Sequence, residues 1–401
     1  MRVAVLGAGI MGASLALLLA RRGIRVSLFD AAAAPFSGAS RWNEGKIHLG
    51  FLYSADPSLQ TARHIIPGGL QFRPLVEDLL SCSLEHATTR EDDIFVCHTD
   101  SVVGPDVMQG YFERVAEIVG QHPDARRYLA DVADCRSRTL TPDELGEITG
   151  SPEILAGYVI PERSVATTWV ADRYVGALDA EPRIEWRMNH RVHSVRSASG
   201  TDDGPWQIGT DQGEDGPYDL VINALWQGRL AVDRTLGLMP EGVWSNRFRL
   251  AVFLRTAGKL EVPSTLIATG PFGDVKNYNG RDFYLSWYPK GLRVDSSEIL
   301  PPEPPLLEPE EKSAFCRSVL DSLESLLPRV AAIRQSAEAM QLEGGWVFAA
   351  GQGALSNPRS TLHRRSEFGV FRRGSYLSVD TGKYSTAPWM AHRIVETLAR
   401  A

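Results

Sequence analysis

The 401-residue chain has few of the residues that staple small domains or hold metals. Its four cysteines, Cys82, Cys97, Cys135 and Cys316, lie far apart. No C-x-x-C pair exists, which removes the spacing of a zinc knuckle or a redox dithiol. The expectation is therefore idle or buried thiols in a reducing cytoplasm, and no metal. No stretch approaches the roughly 18 apolar residues of a membrane span, so no span is expected. There is no excess of positive charge: 42 Lys and Arg stand against 49 Asp and Glu, a net charge of -7. That argues against nucleic-acid or anionic-membrane binding, both of which favour a basic face. The start, "MRVAVLGAGIMGASLALLLARRG", is apolar but broken by glycines. No small-residue cleavage site follows before "RRGIRVSLFD", so it reads as strand, turn and helix, not as a signal peptide. A chain this long points to two or three domains. Its 43% hydrophobic and 23% charged content is ordinary for a globular protein.

The opening segment carries the strongest signal. Arg2 to Leu6 is an apolar run suited to a parallel strand buried on both faces. Gly7, Gly9 and Gly12 then form G-x-G-x-x-G. Their expected parts are a tight turn, close approach of backbone to a pyrophosphate, and close packing of helix on strand. The spacing predicts a helix from Ile10 to Arg22, with free N–H groups and a positive dipole end aimed at a diphosphate. Gly23 is its expected C-cap. "IRVSLF" follows as a second strand, closed by Asp30. An acid there accepts hydrogen bonds from ribose hydroxyls and repels a 2′-phosphate. The cofactor expected from these residues is thus FAD or NAD rather than NADP.

After Asp30 the sequence reads "AAAAPFSGASRWNEGKIHLGFLYSADPSLQTARHIIPGG". An NAD domain would normally enter its next helix within a few residues. This longer Gly-, Ser- and Ala-rich stretch suits an extended ligand instead. It resembles the D-amino-acid-oxidase-like group of FAD-dependent oxidoreductases. Within that group, "NEGKIHLGFLYSADPSLQTAR" is most similar to the L-2-hydroxyglutarate dehydrogenase branch. The matching residues are Asn43, Gly45, Ile47, His48, Gly50, Tyr53, Pro57, Ser58 and Leu59. Glu44 and Lys46 depart from that branch and put charge near the expected flavin. The resemblance implies FAD contacts at Ile10, Met11, Ser40, Arg41, Asn43, Gly45 and Lys46. "RIEWRMNHRVHSVRS" (183–197) resembles the family's adenine-side strand, with Val192 near its end. "YDLVINALWQG" (218–228) resembles the strand-end turn near the FAD phosphates and implies Ala224 and Trp226. The closing segment resembles strand, Gly-containing turn and helix. It implies Gly382, Lys383, Tyr384, Ser385 and Thr386 beside the flavin.

The fold expected is α/β: a discontinuous Rossmann-type FAD-binding domain and an α+β substrate domain with a mainly antiparallel sheet. The FAD-binding parts are expected at 1–75, 151–228 and 345–401, and the substrate domain at 76–150 and 229–344. Within the substrate parts, "DDIFVCH", "FRLAVFLRT", "STLIAT" and "RDFYLSWYP" read as strands. "PDVMQGYFERVAEIVG" reads as a helix, and Thr141 and Glu144 form a capping box. Phe315, Val319, Leu323 and Leu326 or Leu327 mark the apolar side of an amphipathic helix.

The flavin carries redox chemistry while the protein positions substrate. His48 is the first candidate for a base or substrate contact, because imidazole titrates near neutral pH. Covalent attachment of flavin to His48 and a purely structural part for it are the alternatives. Lys46 and Lys383 are candidates for stabilising the reduced ring or activating oxygen. A carboxylated substrate would want arginine, and Arg281, Tyr284 and Arg359 are the candidate substrate contacts. Arg364, Arg365 and His363 lie in the same "NPRSTLHRRSEFG" run as Arg359. Trp42, Trp226, Trp287 and Trp346 are candidate pocket walls. The expected reaction oxidises a C–H beside a hydroxyl on a small carboxylated molecule, with oxygen or a quinone as acceptor. The alternative is amine or amino-acid oxidation. An NAD dehydrogenase and a flavin protein without turnover are the more distant readings.

Overall fold

The computed structural model describes residues 1–400. The opening folds as expected: β1 (Arg2–Leu6), α1 (Ile10–Arg21) and β2 (Arg25–Phe29). α1 ends one residue earlier than its expected Arg22, and Gly23 turns the chain at φ +79°. The strand β1 is central in a six-stranded sheet. Its order is Gly369–Arg373, Tyr376–Asp380, Leu220–Asn223, β1, β2, Ile184–Arg187. All neighbours are parallel except the first pair. Strands so placed are covered on both faces, which explains why β1 is fully apolar after Arg2. On one side lie α1, the helix Ala387–Arg400 and the helix Gln60–Leu80, which share one core with β1 and β2.

The second large sheet has nine strands, antiparallel except where Thr265–Ala268 runs beside Asp93–His98. Its longest ladder joins Ser245–Thr256 to Ala337–Ala349. The helix Pro309–Leu326 buries Phe315, Val319, Leu323 and Leu326 against Val252, Leu254, Phe283 and Leu285 of this sheet. The capping box at Thr141 and Glu144 forms as read. A separate three-stranded sheet is made by Val192–Ser197, Trp206–Thr210 and Gly213–Tyr218.

Three placements differ from the sequence reading. Residues 183–197 are not one strand. Asn189 takes a positive φ of +56°, so Ile184–Arg187 ends the parallel sheet and Val192–Ser197 enters the small one. The strand Ile154–Ile160, expected with the nucleotide segments, pairs with Asp93–His98 in the large sheet. The strand Ala337–Ala349 runs through the expected boundary at 345. No helix among the described residues is long and apolar enough to cross a membrane.

Candidate active site

Four neighbouring parallel strands end at one place. The residues just beyond them, Gly7, Gly9 to Met11, Asp30 to Ala32, Ala224 to Gly228 and Thr381 to Tyr384, line a single cavity of about 1310 Å³. Ligands of open α/β sheets bind in this position, outside the carboxyl ends of the strands. The opposite wall comes from the large sheet, with Arg249, Ala251, Tyr284 and Trp346.

The nucleotide end is built by close packing. A Cβ on Gly12 would sit 1.8 Å from the Gly7 carbonyl oxygen, so only glycine lets α1 start against the β1 turn. The α1 N-terminus has no side-chain cap and no acid in its first turn. Its Ile10 N–H donates to Ser40 Oγ at 3.0 Å. Uncapped N–H groups and the dipole leave a place for an anion. Asp30 accepts from the Ala8 and Ala32 N–H groups at 2.8 and 2.9 Å, which fixes its carboxylate at the cavity edge. Val192 lies along the same wall. A glycine-cradled helix terminus, a strand-end carboxylate and an elongated cavity between two sheets fit a flavin dinucleotide.

The other end holds the ionisable groups. His48 is 2% exposed. Its Nε2 lies 4.0 Å from the Glu44 carboxylate, and its Nδ1 has no hydrogen-bond partner among the described residues. Burial, then the charges of Lys383, Lys46, Lys276 and Arg365, holds the imidazole well below its ordinary value. It is therefore neutral near pH 7. Lys383 sits 5.5 Å from the Tyr53 ring centre. Burial, with Arg365, Arg247 and Arg249 adding to it against Glu44, brings its ammonium down to about 7.

Lys46 reaches into a buried cluster. It pairs with Asp93 and lies 3.6 Å from Glu162. Lys276 meets the same Asp93 oxygen at 2.5 Å. Burial opposes the charge of Lys46, but Asp93 and Glu162 overcome it and hold the ammonium above its usual value. Burial, helped by Lys46, brings Lys276 down to about 8. Glu162 also accepts from the Leu49 and Gly50 N–H groups at 2.5 and 3.1 Å. That fixes the backbone directly after His48.

Most residues read from the sequence line the cavity: Gly7, Gly9, Ile10, Met11, Asp30, Ser40, Asn43, Lys46, His48, Val192, Ala224, Trp226, Tyr284, Gly382, Lys383 and Tyr384. The rest have other positions. Gly12 packs α1 on β1. Gly45 faces the Val165 carbonyl, 1.9 Å from where a Cβ would stand. Arg41 pairs with Asp172 at 2.7 Å. Ser385 and Thr386 are buried, and the Thr386 hydroxyl donates to the Lys383 carbonyl at 2.8 Å, shaping the turn from behind. Two substrate candidates are corrected. Arg281 is spent on Glu338 at 3.1 Å and on the Thr256 carbonyl, and it does not reach the cavity. Arg359 is exposed on a loop that also lies outside it. Of the four candidate tryptophans, Trp42, Trp226 and Trp346 line the cavity, and Trp287 does not.

Two arginines take the place of those corrected. Arg365 is buried and lines the cavity. It donates to the Phe348 and Gly382 carbonyls at 2.7 and 3.1 Å, so it braces the Lys383 turn. Arg249 stacks 4.6 Å from the Tyr288 ring centre. Its buried Nε has no hydrogen-bond partner among the described residues. The one sequence signal for Arg249 was a charge between Phe248 and Leu250 in an apolar strand. Nothing in the sequence separates Arg365 from Arg359.

Known proteins resemble this chain in fold and, more weakly, in sequence. The glycine oxidase from Geobacillus kaustophilus superposes with a TM-score of 0.69 at 16% identity, covering 100% of this chain and 95% of that one. The iminodiacetate oxidase IdaA from Chelativorans sp. BNC1 gives 0.68 at 16% identity, with the same coverage. The tRNA 5-methylaminomethyl-2-thiouridine biosynthesis bifunctional protein MnmC of Shewanella amazonensis is 29% identical over 268 residues, 66% of this chain and 35% of that protein. The chain spans about a third of the length of the curated relatives it matches. These likenesses carry the fold and not the hydroxyglutarate dehydrogenase branch. The model of the DAO family, described as FAD dependent oxidoreductase, matches residues 2–351, and the chain belongs to that family of FAD-dependent oxidoreductases.

Proposed function

We propose that the enzyme oxidises the C–H beside the nitrogen of a small carboxylated amine or amino acid. The observation that carries this reading is Arg249: a partly buried guanidinium on the cavity wall, stacked on Tyr288, with no ion pair among the described residues. Such a group suits a carboxylate, which its planar fork binds bidentately. Glu44 lines the same cavity, and its charge acts on Arg249. An acid and an unpaired arginine facing one space match the two charges of an amino acid. A hydroxy acid would leave Glu44 without a counterpart.

Bound FAD supplies the two-electron acceptor that takes the hydride. The chain's own residues manage the proton. An ammonium must lose one before its neighbouring C–H can leave as hydride. The neutral His48 ring and Lys383, at about 7, are the nitrogen bases available for it. Loss of hydride and proton gives an imine, and water converts it to a carbonyl compound and ammonia or a smaller amine. Oxygen or a quinone then takes up the electrons. The relatives with this fold, a glycine oxidase and an iminodiacetate oxidase, support nitrogen over oxygen as the adjacent atom.

The second reading is 2-hydroxy-acid oxidation, favoured by the run from Asn43 to His48. Product analysis separates the two. Turnover of a panel of amino acids and N-substituted glycines should release ammonia or amine in step with the carbonyl product. Turnover confined to hydroxy acids, without nitrogen release, would contradict the amine reading.

A further inference from the structure

The segment "SEILPPEPPLLEPEE" (297–311) joins the strand Leu292–Ser296 to the helix Pro309–Leu326. Residues 301–308 have no helix or strand. Four of the five residues from 301 to 305 are proline, which fixes their φ and favours polyproline II, a rod with three residues per turn. The burial pattern has that period. Pro301, Pro304 and Leu307 are half-buried, whereas Pro302, Glu303, Pro305 and Leu306 are exposed. The rod thus turns one ridge inward, and Leu300 to Leu307 line the flavin cavity.

Both ends are anchored. Asn246 Nδ2 donates to the Glu298 carbonyl at 3.4 Å. Glu308 caps the following helix, its N–H donating to the Glu311 carboxylate at 2.8 Å. The rod also starts beside the nucleotide side of the molecule. Ser296 pairs with Asn246, and only residues 236–244 separate that strand from the helix Arg229–Thr235. Ala231 and Thr235 of that helix line the same cavity, as do Val192 and His193. Asp30, the expected ribose contact, is linked to this wall because its carbonyl accepts from the His190 N–H at 2.9 Å.

We infer that this proline rod is a cofactor clamp: the ridge Pro301–Pro304–Leu307 closes over the adenosine half of FAD and slows its release. The contact is apolar and preformed. The prolines lose little freedom on meeting the ligand, which favours retention. The inference rests on FAD binding and is independent of which substrate is oxidised.

The test uses the FAD-loaded enzyme. In one variant Pro301, Pro302, Pro304 and Pro305 all become serine; a second carries only Leu307→Ser. FAD release is followed as the rise of free-flavin fluorescence after dilution, and FAD affinity by titrating the apoprotein. The clamp predicts release about tenfold faster or more in both variants, the size expected for uncovering a leucine-sized apolar contact. The apoprotein melting temperature should be unchanged. Release within about twofold of the parent in both variants would overturn the inference. So would an unchanged release rate with a lowered apoprotein melting temperature, which would make the rod a structural tie alone.

Discussion

Lys46 and Lys276 donate to the same oxygen of Asp93, and all three side chains are fully buried. One carboxylate thus balances two ammonium groups beneath the cavity, with Glu162 close to Lys46. Replacing Asp93 by Asn keeps its shape and removes that charge. The expected loss is about 3–5 kcal/mol of folding stability, as for a buried pair broken on one side. Denaturant unfolding of the apoprotein measures it. Burial works against the Asp93 carboxylate, but the two lysines hold it below its ordinary value. Its contribution is therefore present above the usual carboxylate range and is lost as pH falls through the lower folded value. The difference between parent and Asp93→Asn should shrink in acid.

Arg249 is expected to bind the substrate carboxylate. Arg249→Met should raise KM for carboxylated substrates about 10- to 100-fold, the range of a charge-assisted hydrogen bond of about 1.5–3 kcal/mol. Flavin content should stay unchanged. Steady-state kinetics on a carboxylated amine and on its methyl ester check this: the ester should lose little on the same substitution. Equal losses for both would place Arg249 outside carboxylate recognition.

Lys383 sets the expected pH profile. Its ammonium is brought down to about 7, and the groups facing it are Arg365, Arg247, Arg249 and Glu44. Below that pH it is charged and cannot take a proton, so kcat/KM should rise as pH passes upward through about 7. The neutral His48 ring adds no limb above its lowered value. Lys383→Met should abolish the limb near 7. The sign for stability is the same. Between about 7 and the ordinary lysine value near 10.4, the unfolded chain binds more protons at this residue, so the Lys383 contribution to stability grows with pH. Melting temperatures of parent and Lys383→Met should converge in that direction. A pH limb retained in the variant would assign proton transfer elsewhere.

The nucleotide end was legible because its parts are local. Gly7, Gly9, Gly12 and Asp30 fall within one strand–helix–strand unit, and short-range geometry decides their positions. The second end was legible in part, in Lys46 and His48 of one short segment and in Tyr284 and Lys383. Arg249 comes from a sheet whose facing of the cavity depends on pairings with residues nearly 100 positions away, such as Gly345. Arg281 sits in a strand-like run of the same character, yet its partner Glu338 is also remote in sequence, 57 positions on, and draws it to the surface. Glu44 was noticed as a departure from the resembling branch, but its lining of the same cavity as the distant Arg249 is a property of the fold. The break at Asn189 was hidden because apolar residues continue on both sides of it.

The most direct test of the amine reading is anaerobic reduction of the purified FAD enzyme by matched pairs: small amino acids or N-substituted glycines against the corresponding 2-hydroxy acids. The long-wavelength flavin absorbance reports the electron transfer without any acceptor. The account predicts rapid bleaching by the nitrogen compound of a pair and little by the hydroxy acid. Bleaching by the hydroxy acid alone would contradict it.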